Sequence, residues 1–550
     1  MITRTTLKHH LILIVLCGII LGAIVTNVIW ILRDQSPPLW DIAAHSARAV
    51  DVGHFIKEFH PRLIFNYNTN YPPVSYLVTG TAFLLFGYHD KIPQLSLLLY
   101  LPLLLLSVYG LGRKIFHNNT AALFATFLAV TYPLLTHFSR IYDLDFQLTA
   151  FVASTIYCLV KTRGFTDWKW TLLFGLSFSL GLLTKWTFVV FLIGPVIAVF
   201  ITEKVYQKSR RKIAWKPALI ALALIAALTV PWYLKHGRGI LASSEATRYN
   251  VFSVPFENIY SLGNIFYYPN KIITGTSWPL AALAGLGLIV LIARRWKKEQ
   301  WLLLSWIIVP YAIMTFYFLS KETRYLLPLY PALALVSASL LVYVKNKWLK
   351  ALVVAYGVIF SMFFWLASAW NINLLPWDVN KQLGFFKVYG LFDPSTQEVG
   401  YGFTYPTQYQ TNIREIPQAI ADDVKIRGLS DTQQKIVVVP NSIFLTAAEI
   451  QYYGNLIGLN ADYRLSSLIR SKDYQTFLDQ ADYIVTKTGD QGPKVWAPSV
   501  LTDIQKASDS SSSEVFKNFE VIKTWRVSGI EARPQEVRLY RHKTGCNCNK

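Results

Sequence analysis

The sequence predicts a polytopic α-helical membrane protein that continues into a C-terminal α/β domain outside the membrane. Of the 550 residues, 53% are hydrophobic and 15% are aromatic, which exceeds the usual composition of soluble domains. Twelve runs of about 15 to 22 residues without acidic or basic side chains precede residue 371, and a helix that spans a bilayer needs roughly 20 residues. From residue 371 onward the runs give way to short alternations of apolar and polar residues.

The basic residues between the runs predict which loops face the cytoplasm. Six basic clusters hold 20 Lys and Arg against 3 Asp and Glu, and loops rich in Lys and Arg remain cytoplasmic. Twelve crossings would separate the N-terminal cluster from the other five, whereas eleven crossings place all six on one side. The runs lie at residues 11–32, 71–88, 92–112, 119–138, 146–160, 170–184, 186–202, 217–234, 276–293, 301–320, 325–344 and 351–370.

The run at 71–88 is the one that we assign to a segment that does not cross the membrane. It begins with "YPP" and contains Gly80, which suits a segment lying along the outer leaflet or partly within it. We therefore expect about eleven transmembrane helices in a multi-pass protein of the cytoplasmic (plasma) membrane. The N-terminus is predicted to be cytoplasmic and the C-terminal domain extracytoplasmic.

Two domains follow from this topology. Residues 1–370 are predicted to form a transmembrane domain with a long first external loop at 33–91, and residues 371–550 an extracytoplasmic α/β domain. Within the second domain, alternating patterns predict strands at 435–440, 481–486, 519–527 and 536–541, with short helices at 443–453 and 474–480.

The charge distribution argues against a nucleic-acid partner. Residues 1–370 contain 33 Lys and Arg against 13 Asp and Glu, whereas residues 371–550 contain 20 against 19. A basic surplus confined to the membrane half reflects the asymmetry of its loops. The chain also lacks a GxGxxG turn after a strand and a Walker lysine loop, so nucleotide binding has no support.

Acidic residues of the membrane half gather on the predicted outer face, which carries ten of its thirteen. Asp41 and His45 follow the first run, and their spacing of four places both on one face of a helix. Asp41 is a candidate general base at the membrane surface, where reduced solvation raises a carboxyl pKa. The alternative is an interfacial carboxylate with no chemical role.

A second candidate group lies in the short loop "SRIYDLD". Arg140, Asp143 and Asp145 fall within six residues there, and such a set suits a divalent cation or a diphosphate sugar. An ion pair that anchors the loop is the alternative.

Three further cations adjoin predicted spans on the outer face, namely Lys185, Lys321 and Arg324. Together with Arg140 they could form a basic ring for the phosphate of a lipid carrier in the outer leaflet. Snorkelling of individual side chains is the alternative explanation.

Taken in order, these motifs resemble the GT-C superfamily of glycosyltransferases, in particular family 39, which includes the protein O-mannosyltransferases and the lipid A aminoarabinose transferases. The resemblance spans roughly residues 10 to 345. It rests on an acidic first external loop and on "YPPVSYLVTGTAFLLFG", "GRKIF", "SRIYDLD", "GLLTKWT" and "SKETRYLLPLYPALAL".

The resemblance implies a polytopic GT-C fold and transfer of a sugar from a polyprenyl-phosphate donor to an acceptor lipid, polysaccharide or protein at the outer face. Asp41 matches the first-loop aspartate, which is the proposed catalytic base. Substrate-binding positions are implied for Arg140, Asp143, Asp145, Lys185, Lys321, Arg324 and the adjacent Tyr325.

Two departures from the family pattern concern a metal ion. Ile42 follows Asp41 where the mannosyltransferases have an acidic residue, and Asn70-Tyr71 stands where the aminoarabinose transferases have a metal-binding glutamate. Two options follow: a divalent metal ion with His45 as a substitute ligand, or no cofactor.

Other classes of function remain as alternatives. A polytopic transporter or flippase for lipid-linked sugars fits eleven spans equally well, although transport pathways usually need polar groups near the middle of the membrane. A carbohydrate-binding or scaffolding module at the C-terminus would need a much smaller anchor.

Overall fold

The computed structural model of the protein describes residues 4–67, 70–205, 214–247, 258–293, 298–372, 374, 380–384, 386–389, 405–407, 412–442, 445–465, 478–489, 491, 506–509, 514–527 and 535–544. In chain order, the helices are α1 Arg4–Arg33, α2 Trp40–Lys57, α3 Pro61–Asn66, α4 Val74–Phe86, α5 Ile92–Ser96, α6 Tyr100–Phe116, α7 Asn119–Thr131, α8 Pro133–Phe138, α9 Leu144–Lys161, α10 Trp168–Leu182, α11 Phe188–Val205, α12 Trp215–Thr247, α13 Leu262–Thr276, α14 Trp278–Ile292, α15 Lys298–Phe316, α16 Tyr330–Tyr343, α17 Lys347–Trp370, α18 Glu415–Ile426 and α19 Ala447–Leu456.

The strands are β1 Asn380–Leu383, β2 Phe386–Tyr389, β3 Gln434–Val438, β4 Ala461–Leu465, β5 Tyr483–Lys487, β6 Phe519–Val527 and β7 Gln535–His542. Short 3-10 helices lie at Leu97–Leu99, Thr323–Leu329, Asn412–Arg414 and Glu514–Phe516.

The chain divides into two compact units, which are described separately. The helical unit comprises Met1–Leu32, Arg62–Ser75 and Gln94–Pro406. The sheet unit comprises Arg33–Pro61, Tyr76–Pro93 and Thr407–Lys550. Parts of the first predicted external loop thus cluster with the C-terminal residues, and the domain boundary at residue 370 stays a prediction.

The helical unit is a bundle of apolar helices that pack in pairs. Helix α9 packs against α6 and α10, α11 against α15, and α14 against α16. At the last contact, a Cβ atom on Gly287 would lie 2.2 Å from the carbonyl oxygen of Val336, so only glycine permits this approach. Gly285, two residues earlier on the same helix, faces open space. Small residues at such contacts are typical of helices packed within membranes.

Six helices of the described chain are long and apolar enough to span a membrane, or seven if the bent pair α13 and α14 counts as one span. Four further apolar helices are shorter, including α4 with its 13 residues. At 1.5 Å per residue α4 is about 20 Å long, which falls short of a hydrocarbon core about 30 Å thick. This length agrees with a run at 71–88 that does not cross. The count of eleven spans and the orientation of the termini remain predictions.

The sheet unit is built on a five-stranded mixed sheet with the order β4-β3-β5-β7-β6. Strand β3 pairs in parallel with β4 and β5, while β7 pairs antiparallel with β5 and β6. Buried Val437, Ile484 and Tyr540 from three of these strands contribute to one apolar core. The unit is therefore an α/β domain with its own hydrophobic core, as predicted.

Helix α2 and most of helix α4, both in the first predicted external loop, belong to the sheet unit. Helix α2 packs along α19. It also approaches α4 closely, since a Cβ atom on Gly80 would lie 3.0 Å from the backbone nitrogen of Gly53. Glycine at both positions lets the two backbones approach, which fixes α2 against α4.

The four strands predicted in the C-terminal half correspond to β3, β5, β6 and β7. The helix predicted at 443–453 is α19, which begins at Ala447. Strand β4 and helix α18 are absent from the sequence prediction. Most of the helix predicted at 474–480 lies outside the described residues.

Candidate active site

The two carboxylates of "SRIYDLD" lie at the N-terminal end of α9. Asp143 is the N-cap residue and Asp145 lies in the first turn, where the helix dipole favours negative charge. The Asp143 side chain makes no capping hydrogen bond to the helix. Both side chains are buried. They are therefore available to cations from other parts of the helical unit.

Asp145 forms an ion pair with Lys185. The Lys185 ammonium, in the turn after α10, donates to both carboxylate oxygens of Asp145 at 2.8 and 2.9 Å. The Asp145 side chain is only 1% exposed. Burial of either charge is costly unless the partner is present, so this pair fixes α9 against the turn that follows α10.

Arg324, in the 3-10 helix at Thr323–Leu329, joins three carboxylates. Its guanidinium forms an ion pair with Asp143, and its Nε lies 3.8 Å from Asp145 Oδ2 and 2.6 Å from Glu322 Oε2. The Tyr325 hydroxyl donates to the other Glu322 oxygen at 2.8 Å. The Lys185 ammonium lies 5.4 Å from the centre of the Tyr325 ring.

Six residues form a polar cluster, buried at four of them and partly buried at Glu322 and Tyr325, which we call the carboxylate network: Asp143, Asp145, Lys185, Glu322, Arg324 and Tyr325. Three carboxylates face two cations, so the network carries no surplus of positive charge. Lys185 and Arg324 act as counter-ions for the carboxylates. Of the two interpretations of this loop, the geometry agrees with the anchoring ion pair, but the partners come from two other loops rather than from Arg140.

Arg140 lies outside this network. Its Nε donates to Asn27 Oδ1 of α1 at 3.0 Å, and its guanidinium carbon lies 5.1 Å from the Trp30 ring centre. The Asn27 amide in turn donates to Ser139 Oγ at 2.8 Å. Arg140 is 1% exposed, and neither of its two terminal nitrogens has a hydrogen-bond partner within the described part of the chain.

The charge on Arg140 is consequently uncompensated. Burial lowers the pKa of Arg140 to about 9, which still leaves the guanidinium protonated at neutral pH. A buried guanidinium with two unpaired nitrogens costs free energy that an anion could recover. Arg140 is thus an anion-binding candidate on geometric grounds.

A cleft of about 390 Å³ opens beside the partners of Arg140. Helices α1, α7 and α17 contribute mostly apolar side chains, including Phe127 and Trp365. Asn27 and Ser139 also line the cleft, so it reaches the hydrogen bonds that hold Arg140. Its lining suits a hydrocarbon chain.

Lys321 is a second cation that has no carboxylate partner among the residues that the structure describes. Its ammonium donates to the carbonyl oxygens of Met314 and Thr315 at 2.7 and 2.8 Å and lies 5.4 Å from the Tyr268 ring centre. These carbonyls end helix α15, where the dipole favours positive charge. Burial lowers the pKa of Lys321 to about 8.

Asp41 and His45 belong to the sheet unit, and both lie on α2 as the spacing predicts. Asp41 is partly exposed in the first turn of α2, whereas His45 is buried. The His45 Nδ1 atom lies 2.7 Å from the Tyr76 hydroxyl and 3.4 Å from Arg48 Nη1. His45 therefore ties α2 to α4.

The residues do not fit the metal option. Within the described ranges, no group of three or more His, Cys, Asp or Glu side chains gathers where it could hold an ion. His45 directs one ring nitrogen at a tyrosine hydroxyl, and the carboxylates of the carboxylate network are bound to cations. We derive no chemical step through a metal.

Backbone contacts at the start of α2 involve a residue from the C-terminal half. The Trp40 N–H donates to Glu449 Oε1 of α19 at 2.8 Å. Glu449 is fully buried and also accepts from the Thr446 N–H at 2.8 Å and from the Thr446 hydroxyl. Burial outweighs these hydrogen bonds and raises the pKa of Glu449 to about 7.

Sequence reasoning missed several of these partners. Glu322 is the acidic residue within "SKETRY", and Asn27 is a polar residue inside the first uncharged run, so each left a visible signal. Tyr76 and Glu449 left no such signal in the sequence. A tyrosine in an apolar run and a glutamate on a predicted helix are both common and do not mark a site.

Comparison with known proteins places this geometry in a known fold. Residues 70–232 match the profile of the family described as dolichyl-phosphate-mannose-protein mannosyltransferase. The match contains Arg140, Asp143, Asp145 and Lys185 but covers less than a third of the chain. No curated protein sequence matches the chain.

Solved structures match nearly the whole chain. The crystal structure of ArnT from Cupriavidus metallidurans in the apo state aligns over 98% of this chain and 98% of that one, with a TM-score of 0.57 and 13% identity. The same protein bound to undecaprenyl phosphate aligns over 95% and 97%, with a TM-score of 0.55 and 14% identity.

The oligosaccharyltransferase of Archaeoglobus fulgidus, in a complex with Zn and sulfate, aligns over 85% of this chain and 67% of that one, with a TM-score of 0.53 and 13% identity. At such identities the similarity establishes the fold. The chain has the GT-C fold, and the predicted resemblance is confirmed.

The carboxylate network predicts coupling between Asp145 and Lys185. Asp145→Asn and Lys185→Met each leave a buried charge without its main partner, so each should lower the Tm of the purified protein by several degrees. The double variant should lose less than the sum, with a coupling of about 0.5–3 kcal/mol. Thermal unfolding of the wild type and the three variants in the same detergent measures these losses. Strictly additive losses would contradict the ion pair.

The raised pKa of Glu449 predicts a pH dependence of stability. The folded state binds the Glu449 proton more tightly than the unfolded state, so the free energy of unfolding should fall as pH rises from about 4.5 to about 7. At about 1.4 kcal/mol per pKa unit, the fall is at most about 3.5 kcal/mol.

Glu449→Gln should remove this fall, because the amide does not ionise. The Tm of the wild-type protein, measured at pH 5 and pH 8, should decrease relative to that of the variant. A Tm difference that stays constant with pH would show that Glu449 ionises normally.

Proposed function

We propose that this protein is an integral membrane glycosyltransferase that moves a sugar from a polyprenyl-phosphate donor to an acceptor at the outer face of the plasma membrane. The acceptor is a lipid, a glycan or a protein, and its hydroxyl attacks the anomeric carbon of the donor sugar. The N-terminus lies in the cytoplasm and the sheet unit outside in this proposal.

The observation that carries the proposal is the environment of Arg140. A fully buried guanidinium with two unpaired nitrogens suits a phosphate, which it can bind through two parallel hydrogen bonds. The apolar cleft that begins at Asn27 suits the hydrocarbon chain attached to that phosphate. A lipid phosphate has both parts in one molecule.

The comparisons support the same class of donor. ArnT from Cupriavidus metallidurans, which shares the fold over nearly the whole chain, has been crystallised with undecaprenyl phosphate. The matched family profile is named for a mannosyltransferase that uses dolichyl phosphate mannose, another sugar on a polyprenyl phosphate.

The proposed reaction is a direct displacement. Asp41 accepts the proton of the acceptor hydroxyl, the oxygen forms a bond to the anomeric carbon, and the bond from that carbon to the lipid phosphate oxygen breaks. The departing lipid phosphate keeps the electron pair, and Arg140 and Lys321 stabilise its charge. Arg324 and Lys185 contribute indirectly by holding Asp143 and Asp145.

The placement of charge favours a transferase over a flippase. Asp145 lies at the start of α9, Lys185 in the turn after α10 and Arg324 before α16, so the carboxylate network lies at helix ends. Transport pathways usually need polar groups near the middle of the membrane.

Asp41→Asn should reduce sugar transfer by at least about 100-fold, because general base catalysis typically contributes 10²–10⁴-fold. The measurement is the glycan formed by membranes from cells that make their own donor and acceptor, detected by mass spectrometry. Asp51→Asn is the matched control, since Asp51 lies on the same helix, and it should retain most of the activity. Near-normal transfer by Asp41→Asn would reassign the base.

Arg140→Gln should weaken binding of undecaprenyl phosphate by about 10- to 100-fold, because hydrogen bonds to a charged group contribute about 1.5–3 kcal/mol. Binding of that lipid to the full-length protein in nanodiscs measures the effect. Arg113→Gln, which removes a cation at the end of α6, should leave binding unchanged. Equal losses in the two variants would mean that Arg140 contributes only general positive charge.

A further inference from the structure

Helix α2, which carries Asp41, begins without a cap from its own sequence. Its N-cap residue is Leu39, whose side chain has no hydrogen-bond acceptor, and no side-chain cap is present there. The first N–H of the helix, that of Trp40, instead donates to Glu449 at 2.8 Å. The residue that accepts the hydrogen bond from the first N–H of α2 therefore lies more than 400 positions further along the chain.

One carboxylate thus serves two helix N-termini. Glu449 forms a capping box with Thr446 at the start of α19, using its Oε2 atom, and accepts from Trp40 with Oε1. Both contacts place negative charge at the positive end of a helix dipole. Because Glu449 is fully buried, no water can replace a donor that is lost.

The backbone at Trp40 is strained. Its φ angle is +30°, a conformation that bulky residues rarely adopt and that costs about 1–3 kcal/mol. Such a conformation persists only where the surroundings fix it. The hydrogen bond to Glu449 fixes the N–H of this residue, and Asp41 is the next residue in the chain.

The hydrogen bond from Trp40 to Glu449 lies far along the helix pair from a second hydrogen bond between α2 and α19. At the far end of the helix pair, Asn455 Nδ2 donates to Asp51 Oδ1 at 2.7 Å, about three helical turns after Asp41. That bond holds the two helices together without touching the first turn of α2. The two contacts can therefore be removed separately.

We propose that Glu449 is a positioning residue, through which the C-terminal α/β domain sets the first turn of α2 and hence the place of Asp41. This inference rests on the proposed function of Asp41. It also gives the C-terminal half of the chain a role in the transfer reaction that does not require it to contact a substrate.

The test compares three variants of the full-length protein. Glu449→Ala removes the acceptor of the Trp40 N–H at the start of α2 and the carboxylate half of the capping box of α19. Ala448→Gly weakens the first turn of α19 by about 1 kcal/mol but keeps the carboxylate. Asn455→Ala removes the hydrogen bond to Asp51, a second contact between α2 and α19.

Hydrogen exchange, followed by mass spectrometry, measures positioning without any substrate. In Glu449→Ala, the peptide that contains the first turn of α2 should exchange at least about tenfold faster, since its N–H has lost its acceptor. Asn455→Ala and Ala448→Gly should leave that peptide as in the wild type. Unchanged exchange in Glu449→Ala would overturn the inference, as would equal acceleration in all three variants.

Transfer activity, measured in membranes with endogenous donor and acceptor, gives the second readout. Glu449→Ala should reduce transfer at least about tenfold, because small displacements of a catalytic group cost large factors in rate. Glu449→Gln should recover part of it, since its amide oxygen can accept from one of the two N–H groups. The two control variants should retain more than half of the activity.

Asp41→Asn, assayed in parallel, separates this inference from the proposed function. Loss of transfer in Asp41→Asn with normal transfer in Glu449→Ala would overturn the positioning role alone. Normal transfer in Asp41→Asn would overturn the role of Asp41, and with it the positioning of a base by Glu449.

Discussion

Burial of charge is the constraint on which both parts of this structure depend. A charge removed from water must be matched by an opposite charge or by hydrogen bonds, from donors to an anion or from a cation to acceptors. In the helical unit, Lys185 and Arg324 match the carboxylates at the start of α9, which joins three separate loops. In the sheet unit, two backbone N–H groups and a hydroxyl match Glu449. Among the described residues, Arg140 has an acceptor for its Nε but none for its two terminal nitrogens, and this difference makes it the candidate for an external anion.

The predicted basic ring therefore divides into two functional parts. Lys185 and Arg324 form ion pairs with carboxylates, so their positive charge is already neutralised within the protein. Arg140 and Lys321 have no carboxylate partner within the described residues, and they keep a charge that a departing phosphate could use. The sequence shows four cationic side chains, but only tertiary contacts decide which of them are neutralised.

Patterns of hydropathy predicted most of the fold. Uncharged runs are long and repetitive enough to locate helices, and alternation located β3, β5, β6 and β7. The edge strand β4, "ADYRL", is absent from the prediction although its residues alternate between apolar and polar. Short apolar helices such as α4 also leave the number of crossings open, because length alone does not distinguish a re-entrant helix from a span.

The site was predictable by residue type but not by pairing. Asp145 and Lys185 were both candidates, yet they are 40 positions apart and no local rule joins them. Asp41 and His45 share a helix face because their spacing is local, and this part of the prediction is confirmed by α2. The contact between Trp40 and Glu449 joins positions 409 apart, and it depends on how α2 packs against residues that follow much later in the chain.

The composition of α2 explains why that distant domain is needed. The helix buries Ala43, Ala47 and Val50 completely, yet the segment at 33–91 is too short to supply a core that could cover them. Helix α19 packs along α2 and provides part of that cover. A helix that depends on another domain for burial also takes its position from that domain. The free energy that stabilises the sheet unit and the placement of Asp41 are therefore linked through the same contacts.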